Sequence, residues 1–198
     1  MGNEPARIAR RPRADAVRNR ERVLEAAKIA FSTGGPKASL DAVARKAGVG
    51  IGTLYRHFPT REALFEAVYC REVEQLVQLA GHLADCPVPV AGLRRWLHAN
   101  VEFVATKKGM VAALAIAAHG STKLSAYTSE RLTGAVGQLM DRAVAAGEIR
   151  ADIGPTDMLR MLVALCYGSD APGWKANVVR LLDVFVDGLC RVAVQDLR

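Results

Sequence analysis

Cysteine is scarce in this chain and spaced badly for chemistry. Cys70, Cys86, Cys166 and Cys190 form no C-x-x-C pair, and His57, His82, His98 and His119 lie too far apart for a zinc motif. Neither a metal site nor a disulfide framework is expected, and the cysteines read as small core residues. No run of about 18 uncharged apolar residues occurs, so no membrane-spanning helix is expected. The N-terminus is arginine-rich but has no apolar stretch behind it, which argues against a secretory signal and for a cytoplasmic protein. The sequences G-x-S-x-G and H-E-x-x-H, the P-loop and the dinucleotide fingerprint are all missing. Acids such as Glu102, Asp141 and Asp157 stand singly, as solvated surface residues do. An enzyme is disfavoured, and no cofactor is expected.

What is present is positive charge in one place. Residues 1–60 hold 12 Lys and Arg against 5 Asp and Glu, whereas residues 61–198 hold 15 of each. The whole net charge of +7 thus lies in the first third of the chain. Such an excess, where it coincides with a folded motif, is the electrostatic footprint of phosphate binding. The composition, 51% hydrophobic and 24% charged, is enough to build a core beneath it.

Apolar residues recur at helical spacing throughout, and no period-2 strand or internal repeat stands out, so the fold class is all-α. Residues 1–14 read as a disordered basic arm, with Arg7, Arg10, Arg11 and Arg13 among Gly, Asn and two prolines. A first helix follows from Asp15 and stops at Gly34-Gly35-Pro36. A second, capped by Ser39, carries Leu40, Val43, Ala44 and Ala47 on one face and ends at Gly48. A third runs from about Ile51 to His57, with Ile51, Leu54, Tyr55 and Phe58 at the same spacing, and Pro59 closes it. Thr60 caps a long fourth helix that reaches Asp85, where Cys86-Pro87-Val88-Pro89 breaks the pattern. Helices are then expected over 91–107, 109–118, 122–146, 156–168 and 173–195. The domains are accordingly 15–62, a small three-helix domain, and 63–198, a larger helical one.

Two short helices joined across Gly48-Val49-Gly50 and locked by Leu40, Val43, Leu54 and Phe58 make a helix-turn-helix. One face of its second helix stays free, and the DNA major groove is wide enough to take it. Gly52, Thr53, Arg56 and His57 sit on that face, with Tyr55 at its flank. Glycine at position 52 removes a side chain where backbone and DNA approach closely.

The stretch from Ser39 to Leu64 resembles the DNA-binding signature of the TetR (tetracycline-repressor-like) family of transcriptional regulators. The likeness rests on Ala44-Arg45-Lys46-Ala47-Gly48-Val49 for the turn, Thr53-Leu54-Tyr55-Arg56-His57-Phe58 for the core, and Arg61-Glu62-Ala63-Leu64 behind it. It extends over about residues 15 to 70. Arg61 departs from the family's more frequent Lys, a change of cation for cation. The resemblance implies that Tyr55 and His57 bond phosphates, the tyrosine ring packing on the core with its hydroxyl outward. It implies that Thr53 and Arg56 face base edges, and that Lys37, Ser39, Lys46 and Arg61 contact phosphates. Thr60 and the start of the fourth helix would add backbone N–H donors.

Beyond residue 90 the resemblance is one of layout. The last helix is apolar over most of its circumference, which places it between two buried faces. Either a second subunit or the centre of a monomeric bundle supplies the outer one. For a homodimer, Met158, Leu162 and Leu165 would pair with Val178, Leu182, Phe185 and Leu189 in a four-helix interface. The resemblance, not the spacing, implies a pocket for a small-molecule effector, expected to be apolar or aromatic. Its candidate lining is Trp96, Phe103, Met110, His119, Tyr127, Met140, Tyr167 and Trp174, though for any one of them plain core is the more ordinary role. The function implied is a homodimeric repressor released from a palindromic double-stranded operator by its effector. A DNA-binding regulator without an effector is the alternative, and a helical enzyme with a basic domain stands well behind it.

Overall fold

The computed structural model describes residues 10–34, 38–114 and 121–191. Among these, eight helices follow one another: α1 Arg10–Gly34, α2 Leu40–Ala47, α3 Ile51–His57, α4 Arg61–Leu83, α5 Pro89–Leu114, α6 Ser121–Ala145, α7 Pro155–Tyr167 and α8 Trp174–Leu189. No strand occurs among the described residues, and one isolated antiparallel bridge joins Ile149 and Cys190. The chain divides into a unit of residues 1–69 with 109–118, and a second of 70–108 with 119–198.

Three boundaries differ from the sequence reading, each for a local reason. α1 begins at Arg10, so the end of the expected basic arm is helical. Pro12 falls in the first turn, where a missing N–H breaks no intrahelical bond. Residues 1–9 lie outside the described residues. α5 passes through Gly109 without a break, because one glycine costs about 1 kcal/mol in a helix, too little to interrupt a long one. α8 stops at Leu189 rather than residue 195. There the backbone turns extended, with Arg150 N–H donating to Leu189 O (2.9 Å) and Arg191 N–H to Glu148 O (3.0 Å).

The first unit is built on α1, whose Val23, Leu24, Ala27 and Phe31 are buried against Leu40, Val43, Ala44 and Ala47 of α2. Leu54 and Phe58 join them from α3 and its end, and Leu64, Phe65 and Val68 from the start of α4. The Phe31 and Phe65 rings stack with centroids 3.9 Å apart. The spacing of these residues is the 3–4 repeat read in the sequence, so pattern and core agree here.

In the second unit, α4 and α5 run antiparallel across the expected break at residues 84–88, and the fully buried Trp96 donates its indole N–H to Leu76 O at 2.8 Å. Glu148 holds the start of α5 by accepting from Val90 N–H (2.6 Å). On α8, Asp183 accepts from Arg94 (2.8 Å) and lies 2.8 Å from His98 Nε2, while Arg94 also bonds Asp187. Lys108 reaches Cys166 O (2.9 Å) and Ser169 O (3.2 Å) with its ammonium 4.3 Å from the Trp174 ring centre, tying down the loop between α7 and α8. Cys166 is core, as expected, and burial pushes its thiol up to about 11.

The faces of α7 and α8 correct the expected pairing surface. Met158, Leu162, Val178, Leu182 and Leu189 are buried within the chain itself, and Leu165 and Phe185 are half-buried. The apolar side chains left outside are Val163 and Tyr167 on α7, and Leu181 and Val184 on α8, the last 69% exposed. Periodicity shows that a helix has two apolar faces but not which one its own domain covers.

Candidate nucleic-acid interface

The interface begins with a cap. Ser39, extended at ψ 127°, accepts a hydrogen bond from Ala42 N–H (3.4 Å), and Asp41 lies in the first turn of α2, at the positive end of the helix dipole. At the other end Gly48 adopts φ 64°, and its N–H and that of Val49 bond back to Arg45 O (3.1 Å) and Ala44 O (3.0 Å). This left-handed stop reverses the chain within two residues, and glycine is the residue that accepts it without strain. A β-carbon at position 48 would also stand 2.2 Å from the Arg22 guanidinium.

α3 then has one side in and one side out. Leu54 is its only buried residue, and Phe58 is buried at its C-cap with Arg20 over the ring at 5.4 Å. Gly52 and Arg56 are exposed and Thr53 and His57 are half-exposed, which brings the four together on the outward side. A β-carbon on Gly52 would meet nothing within 4 Å, so its glycine leaves open surface rather than relieving a clash within the protein. Tyr55 stands at the flank of that side at 47% exposure, so much of its side chain reaches solvent. Ile51 is exposed as well, so Leu54 and Phe58 alone anchor this helix. The physical reason is length, since seven residues make two turns and only positions 54 and 58 point inward.

The flanking cations divide. Lys46 and Arg45 are exposed at the end of α2. Arg61 is half-buried, and its Nη1 donates to Ala38 O at 2.7 Å, bracing the segment before α2. Lys37 lies outside the described residues. Ser39 uses its hydroxyl oxygen as the helix cap, and Thr60 likewise accepts from Ala63 N–H (3.1 Å) at the start of α4.

The candidate effector residues do not converge in the same way. Trp96, Phe103 and Met140 are buried in the second unit. Tyr127 is exposed, donating its hydroxyl to Glu74, whose carboxylate also holds Arg131. Tyr167 is exposed too, and Trp174 is half-buried against Lys108. The side chain of Met110 and all of His119 lie outside the described residues. The sequence reading passed over two buried polar residues of this unit, Asn100 and Glu72. Neither belongs to a motif, so the signal is three-dimensional.

Known proteins resemble the chain along most of its length. A family model described as bacterial regulatory proteins of the tetR family matches residues 23–68. A second, described as the C-terminal domain of SbtR-like transcriptional regulators, matches residues 88–191. A TetR transcriptional regulator from Streptomyces coelicolor is 41% identical, with a TM-score of 0.80 over 88% of this chain and 99% of that one. A TetR regulatory protein from Mycobacterium vanbaalenii is 34% identical, with a TM-score of 0.75 over 90% and 99%. The HTH-type transcriptional regulator UidR of Escherichia coli K12 is 28% identical over 165 residues, 78% of this chain and 81% of its own.

Proposed function

The chain belongs to the TetR family of helix-turn-helix transcriptional regulators, and from that membership we propose that it is a homodimeric, sequence-specific repressor whose second unit senses a small molecule. The observation that carries the DNA-binding part is the outward side of α3. Thr53, Arg56 and His57 flank the open Gly52, while Leu54 holds the helix from behind. Arg56 reads guanine O6 and N7, and Thr53 touches a neighbouring base edge. Tyr55, His57, Ser39, Lys37 and Lys46 position the domain on phosphates, with any guanidinium nitrogen of Arg61 that faces outward. Net charge concentrated in residues 1–60 supplies the attraction and makes it salt-dependent.

A dimer places two α3 helices in successive major grooves of a near-palindromic site, about 34 Å apart. The outer faces of α7 and α8, where Val163, Tyr167, Leu181 and Val184 stand exposed, are the surfaces that pair. An effector that binds the second unit better in a conformer of different groove spacing releases the operator, since only differential affinity shifts such an equilibrium.

The test is fluorescence anisotropy against operator selected from random DNA, repeated across salt concentrations. Preference for one sequence and a steep fall of affinity with salt are expected. Binding indifferent to both sequence and salt overturns the reading. A metabolite screen by thermal shift tests the sensing part, because a sensor is stabilised by its effector and a regulator without one is not.

A further inference from the structure

Among the described residues, the second unit buries four polar side chains, Glu72, Asn100, Thr106 and Thr128, in a largely apolar core. The bond from Trp96 Nε1 to Leu76 O fixes the register of the antiparallel helices α4 and α5. Four residues further along α5 is Asn100, and four residues back along α4 is Glu72. One helical turn on each side therefore brings them to facing turns, on the faces already defined by Trp96 and Leu76. Both are buried, Asn100 to 1% exposure and Glu72 to 6%. Yet Asn100 Nδ2 makes no hydrogen bond at all, so the two groups are not joined through it.

A buried amide N–H without an acceptor is uncommon in a folded protein, because water is lost and nothing replaces it. Two other buried polar residues of this unit behave differently. Thr106 and Thr128, also buried, each give their hydroxyl proton to the carbonyl four residues back, at 3.1 and 2.8 Å. A donor left over at Asn100, with the buried carboxyl of Glu72 on the facing turn of α4 and Trp96 and Phe103 four and three residues away on α5, has the chemistry of a recognition group rather than of packing.

We propose that Asn100 and Glu72 are the polar recognition pair of the effector site, and that the effector is a largely apolar molecule bearing one hydroxyl group. Asn100 Nδ2 donates to the hydroxyl oxygen, and Glu72 accepts its proton. Trp96 and Phe103 supply the apolar wall. This rests on the reading of the second unit as a sensor and adds to it which residues sense and what they recognise.

A matched pair of probes separates the two levels. Propylphenol and propylbenzene differ by one hydroxyl, and their binding to the full-length protein is measured by calorimetry. The Asn100 side-chain amide is followed in parallel by nitrogen-15 NMR. Propylphenol is expected to bind about tenfold or more tightly than propylbenzene, since a site built to bond a hydroxyl rejects the analogue without one. It should also shift the Asn100 amide resonance. Asn100→Leu, which matches the shape and removes the donor, is expected to erase that preference, as is Glu72→Met. Equal binding of both probes to the wild-type protein overturns the polar pair while leaving an apolar sensor standing. Binding of neither overturns both. If propylphenol binds preferentially but the Asn100 resonance stays put, the hydroxyl is read elsewhere and the assignment fails. The NMR readout needs no variant, so misfolding of Asn100→Leu cannot rescue the proposal.

Discussion

Arg56 and Lys46 are both exposed cations of the first unit, but they differ in what their loss should do. Arg56→Ala is expected to cost about 1–3 kcal/mol of discrimination at one base pair and less elsewhere. Lys46→Ala is expected to weaken all sequences alike and lower the salt slope by about one phosphate contact. Anisotropy titrations on single-base operator variants at several salt concentrations distinguish them. Arg61 combines two roles, because its bond to Ala38 O braces the segment before α2, so Arg61→Ala is expected to lower stability as well as DNA affinity. Asp183 sets a different kind of expectation. The hydrogen bond from Arg94, aided by that of His98, outweighs burial and holds its carboxyl below the ordinary value. A carboxyl depressed in the folded state stabilises it above the unfolded value near pH 4, and the contribution fades as pH falls through the folded value. The stability gap between the wild-type protein and Asp183→Asn should therefore be level above about pH 4 and close below it, as read by urea denaturation. Solvent screening at this partly exposed site keeps the gap small.

Among elements, α2 and α3 depend on how they end. Gly48→Ala is expected to cost about 1 kcal/mol or more of stability. The Arg22 guanidinium is a flexible tip that moves aside, whereas φ 64° remains strained for any β-carbon. Thermal unfolding of the variant measures it, and DNA affinity should fall further than stability alone accounts for, because the turn sets the angle of α3. α8 offers a sharper contrast between adjacent residues. Leu182 is fully buried, so Leu182→Ala should cost about 2–5 kcal/mol of fold stability. Leu181, about 100° around the helix from it, is half exposed. Leu181→Arg should leave the secondary structure intact by circular dichroism while light scattering reports a monomer.

For the whole molecule, the proposed pairing through α7 and α8 predicts that operator binding depends on the second unit even without an effector. The Leu181→Arg variant should bind a single half-site as well as the wild-type protein does, and lose its advantage on the full palindrome, since two linked contacts become two separate ones. Native electrophoresis with half-site and full-site duplexes reads both quantities. The charge distribution acts at this scale too. The excess of positive charge lies in residues 1–60, whereas residues 61–198 are balanced, so under the proposed function the salt dependence of operator binding is expected to come mainly from the first stretch.

Local spacing by itself determined the all-α class, the cap at Ser39, the stop at Gly48, the apolar lock of Leu54 with Phe58, and the outward-facing set of Thr53, Arg56 and His57. These follow from interactions a few residues apart, which the order of residues already contains. What the chain does at longer range was decided only by the tertiary structure. How far Tyr55 and Ile51 reach solvent, at 47% and 37% exposure, is not contained in their spacing, which they share with the buried Leu54 and Phe58. The stripe Val178, Leu182 and Leu189 reads as a partner surface and is the chain's own core, because two apolar faces look alike until one is covered. Asn100 and Glu72 lie 28 positions apart and meet on facing turns only because α4 and α5 fold back on each other. A hydrogen bond left unmade is a property of packed atoms, and no pattern along the chain records it.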